Sequence, residues 1–96
     1  MKWPESLVQA ALCAVADTLG FSKAKNVSEE HLLKVLEKLI RNHPIEGRSL
    51  RRLLKAKRDL LQELVRRGYL TMHGGRQTYM LTTTGLQKAL EECREE

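Results

Sequence analysis

At Gly68 the apolar spacing of this chain changes, and that change limits the folds open to it. Before Gly68, leucines and valines recur every three or four residues, the interval that puts them on one face of a helix. After it the interval is two. Tyr69-Leu70-Thr71-Met72-His73 and Gln77-Thr78-Tyr79-Met80-Leu81-Thr82 read as strands, joined by Gly74-Gly75. Glycines supply the positive φ angles of a tight hairpin turn. The expectation is a mainly α fold with a small β-hairpin.

The helical part divides at recognisable stops. Residues 4–19 form a first expected helix, with Pro4 suited to its first position and Leu7, Val8, Ala11, Leu12, Val15 and Leu19 on its core face. Gly20 stands where a helix C-terminus favours a left-handed residue. Ser22 to Val27 reads as a polar loop. Ser28 is a good N-cap, and Glu29 and Glu30 follow in the first turn, where the helix dipole favours acids. Leu32, Leu33, Val35, Leu36, Leu39 and Ile40 make a wide apolar face that stops before Pro44.

Between Gly47 and Gly68 two leucine clusters follow each other, Leu50-Leu53-Leu54 and Leu60-Leu61-Leu64-Val65, with no glycine or proline between them. Two arrangements are open. One is a helix–turn–helix with its turn near Lys55-Ala56-Lys57. The other is a single helix of about 20 residues. Lys57 would lie on the core face of a single helix, which argues for the turn. After the hairpin, Thr83 or Thr84 can cap a last helix over 84–94 that buries Leu86, Ala89 and Leu90.

Charge is distributed unevenly over this framework. From Arg48 to Arg76 there are nine basic and two acidic side chains, a net charge of +7, within a chain whose total is +5. Such a local positive patch most often meets a phosphate backbone. Arg48, Arg52 and Lys55 recur at helical spacing away from the leucines, as expected of phosphate contacts. On the next helix Lys57, Arg58 and Gln62 are placed for the groove, with Arg66 and Arg67 near its end. Asp59 and Glu63 are expected on the same outward side, where they could accept from cytosine. Arg51 adds charge to the stripe. Arg76 and Gln77 lie beside the hairpin tip.

With 96 residues the chain is expected to be one domain, 1–96. Cys13 and Cys93 stand 80 positions apart, with no metal-like spacing and no signal-peptide pattern near the start. They are expected as free thiols in a reducing compartment, hence a cytoplasmic protein without a membrane span. His31, His43 and His73 form no ligand motif, so neither a metal nor another cofactor is expected. No nucleophile elbow, phosphate-binding glycine loop or paired carboxylates point to catalysis.

The ordered set Leu64-Val65-Arg66-Arg67-Gly68-Tyr69-Leu70, Gly74-Gly75-Arg76-Gln77 and Tyr79-Met80-Leu81-Thr82-Thr83-Thr84-Gly85-Leu86 resembles winged helix-turn-helix regulators of the MarR, PadR and ArsR type. The resemblance spans about residues 28–90. It implies a winged core over 28–82, flanked by an extra N-terminal helix and a C-terminal helix. It also implies double-stranded DNA as partner, a wing-tip role for Arg76, and a homodimer built by the outer helices. The alanine-rich side of the first helix, Ala10, Ala11, Ala14 and Ala16, would allow close approach of such a partner. Winged helices also serve as protein-interaction modules, and an acidic protein is the alternative partner.

Overall fold

The computed structural model describes residues 2–43, 47, 49–73, 75 and 77–93. Five helices and three short strands follow in the order α1 (Glu5–Thr18), β1 (Val27–Ser28), α2 (Glu29–Arg41), α3 (Leu50–Lys55), α4 (Lys57–Arg66), β2 (Leu70–His73), β3 (Thr78–Leu81) and α5 (Thr83–Glu92). The fold is mainly helical, with a small antiparallel sheet at one side.

Helix α1 is the central element. It packs against α2, α4 and α5, and its Leu7, Val8, Ala11, Leu12, Val15 and Ala16 are all buried. Pro4 precedes the helix as its N-cap in extended geometry, and its carbonyl accepts from Leu7 and Val8. The alanine-rich side is partly spent within the chain, since Ala11 and Ala16 belong to the core. Gly20 ends the helix at φ +67°. Its amide donates to Asp17 and the Phe21 amide to Ala16, the paired bonds that close a helix on a left-handed residue.

The same device ends α4. Gly68 takes φ +81°, its amide donates to Val65 and the Tyr69 amide to Leu64. The chain then reverses into β2. Leu70 pairs with Leu81 and His73 with Thr78, in antiparallel register with β3. Four residues separate the last pair, so this is not a two-residue turn. The positive φ falls on Gln77, at +52°, and not on Gly75; Gly74 lies outside the described residues. Along β2 only Leu70 is buried, and Met72 is exposed although it shares a face with Leu70.

Strand β1 was not expected from the sequence. Val27 pairs with Tyr79 and Ser28 with Thr78, giving the sheet order β1-β3-β2. Two residues are too few to show a period. Ser28 also caps α2, its hydroxyl accepting from the His31 amide. Leu32, Leu36 and Ile40 of α2 are buried, and Leu33 and Leu39 are half-buried beside them.

The leucine-rich stretch is two helices, broken at the single residue Ala56 (φ −97°, ψ 11°), which ends α3 and begins α4. The break turns Lys57 out of the leucine row and toward α2. It is shorter than the three- or four-residue turn of a typical helix-turn-helix.

Helix α5 begins one residue earlier than expected, because Thr82 and not Thr83 or Thr84 is its cap. The Thr82 hydroxyl accepts from the Gly85 amide at 2.9 Å and donates to the Gly68 carbonyl. Its own amide donates to the Tyr69 carbonyl at 3.1 Å. A Cβ on Gly85 would lie 2.0 Å from that carbonyl oxygen, so only glycine lets α5 press against the end of α4.

Cys13 and Cys93 are joined in a disulfide that fastens the end of α5 to α1. This corrects the expectation of free thiols: 80 residues of sequence separate them, but α1 and α5 pack side by side. The loop-closure model puts such a crosslink at about 4–5 kcal/mol. The thiol argument for a cytoplasmic location falls with it, since disulfides are characteristic of oxidising compartments. Among the described residues, no helix is long and apolar enough to cross a membrane.

Candidate nucleic-acid interface

The basic side chains fall into two sets with different surroundings. On α4, each cation has a carboxylate. The Lys57 ammonium donates to Glu37 of α2 at 2.9 Å. The Arg58 Nε lies 3.0 Å from Glu29. Arg66 pairs with Glu63. Arg67 donates to Glu63 at 2.9 Å and reaches Glu5 of α1 through both terminal nitrogens, at 3.0 and 2.6 Å.

These pairs show in the acid–base behaviour. The Arg67 guanidinium holds the Glu5 carboxyl below the usual glutamate value of 4.5, and hydrogen bonds from Arg66 and Arg67 do the same to Glu63. Lys57, then Arg41, lowers Glu37. Both Arg66 and Arg67 are pushed up in turn, Arg67 more strongly through its bonds to Glu5 and Glu63.

Two of the residues expected at base edges, Asp59 and Gln62, are also engaged. Asp59 is half-buried and accepts from the Trp3 indole at 2.8 Å. Gln62 donates to the Tyr79 hydroxyl at 3.3 Å, and that hydroxyl donates to Glu29 at 3.1 Å. Burial, then the Glu29 carboxylate, pushes the Tyr79 phenol up. Asp59 and Gln62 therefore face α1 and the sheet, not outward. The sequence carried a signal for this: Trp3 and Tyr79 each bring a polar atom into the core that needs a partner.

Helix α3 differs. Ser49 caps it, accepting from the Arg52 amide. Leu53 is its buried anchor. Arg51, Arg52 and Lys55 are exposed and have no carboxylate partner among the described residues. Leu50 and Leu54, with Arg51, Lys55 and Lys57, line an open groove of about 490 Å³, and Leu50 is 46% exposed. Sequence reasoning expected Leu50 to pack inward; one turn and a half of helix buries only Leu53.

Of the remaining expected contacts, Arg48 and Arg76 lie outside the described residues. Gln77 is exposed at the hairpin, and its carbonyl accepts from the Glu29 amide at 2.8 Å. The structure thus brings Arg51, Arg52 and Lys55 together on one helix. Arg58 and Arg66 lie on the neighbouring helix, 69% and 61% exposed despite their partners. Exposed pairs of this kind are weakened by solvent screening and yield readily to a competing phosphate.

Three histidines are separated, His31 and His73 exposed and His43 half-buried. Among the described residues no group of three or more histidine, cysteine, aspartate or glutamate side chains could hold a metal ion. The chain matches no protein-family model, and no curated protein and no solved structure is significantly similar to it.

Proposed function

We propose that this chain is a small DNA-binding regulator of winged helix-turn-helix type that docks on the duplex backbone through α3 and reaches it again with the β2–β3 hairpin. The observation that carries this reading is the set Arg51, Arg52 and Lys55, three exposed cations on one short helix with no carboxylate partner among the described residues. A cation already neutralised by its own chain releases little on meeting a phosphate; these three contribute in full. The element order supports the reading. An α-helix ends at Arg66-Arg67-Gly68, a hairpin follows, and Gly85 opens the last helix against Tyr69.

Recognition is dominated by phosphates in this arrangement. Arg58 and Arg66 are exposed enough to turn from Glu29 and Glu63 toward DNA, whereas Asp59 and Gln62 are occupied within the fold. Phosphate contacts position a protein without reading sequence, so semi-specific binding is expected. Regulation of transcription belongs to the same proposal.

Fluorescence anisotropy of a labelled duplex, titrated at several salt concentrations, tests it. The wild type should bind tightly at low salt, with log affinity falling by about 0.9 per neutralised phosphate for each unit of log salt. Failure to bind any duplex at low salt would refute the reading.

A further inference from the structure

The α3 groove carries a feature that phosphate binding leaves unexplained. Its lining combines the apolar Leu50 and Leu54 with the cationic Arg51, Lys55 and Lys57. An occupant of matching chemistry presents an aliphatic side chain flanked by carboxylates. That chemistry exists elsewhere on this chain. Leu90, near the end of α5, is 49% exposed, and the adjoining Glu91 and Glu92 are exposed as well. Leu50, Met72 and Leu90 are the large apolar residues most exposed among those described, and two of the three sit in patches of opposite charge.

The electrostatics of both ends favour the match. The last turn of α5 has no basic residue, so Glu91 and Glu92 add to the negative end of the helix dipole. Lys88 offsets Glu92, at 3.5 Å, and Glu91 has no ionic partner among the described residues. On α3 the first turn holds no acid, and Arg52 and Lys55 close the last turn. The disulfide at Cys93 fixes the end of α5 to α1, so Leu90 and Glu91 are presented on a rigid support. Pre-organisation of this kind lowers the ordering cost of association.

We infer that a second copy of this chain docks the end of its α5 onto the α3 groove, with Leu90 entering between Leu50 and Leu54 and Glu91 facing Arg51 and Lys55. The contact is head-to-tail, since the two surfaces differ. A head-to-tail contact either closes into a ring or continues into a chain of copies. It is small, so the association is weak and concentration-dependent. It covers cations that the proposed DNA reading uses, but it stands without that reading, and its test contains no DNA.

Sedimentation equilibrium of the intact, oxidised protein provides the test. The apparent mass of the wild type should rise with concentration above the 11.0 kDa of one chain and fall back as salt is added. Leu50→Asp and Leu90→Arg should each remain at the mass of one chain. Both sites are exposed, and circular dichroism of each variant is the check that it is folded. Mixing the two variants should restore association, because the intact α5 end of the Leu50→Asp copy meets the intact groove of the Leu90→Arg copy. A wild type that stays monomeric, a single variant that associates like the wild type, a mixture that stays monomeric, or association indifferent to salt would each overturn the inference.

Discussion

Helices α3 and α4 are neighbours in sequence, similar in composition, and opposite in surroundings. Each carries several cations and several leucines. Helix α4 buries Leu60, Leu61 and Leu64, and every one of its cations meets a carboxylate. Helix α3 buries Leu53 alone and leaves Arg51, Arg52 and Lys55 without such partners among the described residues. A count of basic residues along the chain treats the two alike. The difference shows that a count of positive charge does not tell which cations the fold has already paired with its own carboxylates.

Stability measurements should show the widest gap between the two helices. Leu61→Ala on α4 removes a fully buried side chain and should cost about 2–5 kcal/mol in denaturant unfolding. Leu50→Ala on α3 should change stability by no more than about 0.5 kcal/mol. Comparable losses at both sites would remove the distinction.

Duplex binding should invert that order. Replacing Arg51, Arg52 and Lys55 together with alanine should flatten the salt dependence by about 2.7 units of slope and weaken low-salt binding by roughly tenfold or more. The pair Arg58→Ala/Arg66→Ala, whose cations are already neutralised by Glu29 and Glu63, should change the slope by less than about one unit. A larger effect from the α4 pair would move the interface to α4.

Trp3→Phe keeps the packed ring and removes the indole donor to Asp59. The expected loss is about 1–2 kcal/mol of stability, by thermal or chemical denaturation, with duplex affinity unchanged. Altered affinity with unaltered stability would return Asp59 to the interface.

Acid should narrow the difference. Glu5, Glu37 and Glu63 have folded values below the usual 4.5. Their contribution to stability is present above that value and is lost as pH falls through the lowered ones. Over the same window Lys57, Arg66 and Arg67 lose their carboxylates and α4 becomes cationic. The share of duplex binding carried by α4 should grow below pH 4.5, read from the Arg58→Ala/Arg66→Ala variant against wild type, while stability falls slightly. An unchanged ratio would show that neutralisation does not set the difference.

Much of this architecture was legible locally. Helical spacing located α1, α2, α4 and α5, and Gly20 and Gly68 marked their stops, because these signals act within a few residues. The hairpin followed from the change of period at Gly68. Strand β1 was not legible, since two residues have no period and pair only because β3 lies beside them. Nor was the positive φ of Gln77 legible, since the sequence assigned that role to Gly74-Gly75.

The sequence by itself determined the element types, their order and the concentration of positive charge between residues 48 and 76. Those properties arise from near neighbours: turns, caps, spacing and net charge. Tertiary structure alone decided which charges remain available. Glu5, Glu29 and Glu37 reach α4 from α1 and α2, and Cys93 reaches Cys13 across 80 residues, because the helices that carry them pack together. Ion pairs and disulfides depend on distances of a few ångströms in space, and separation along the chain does not encode them.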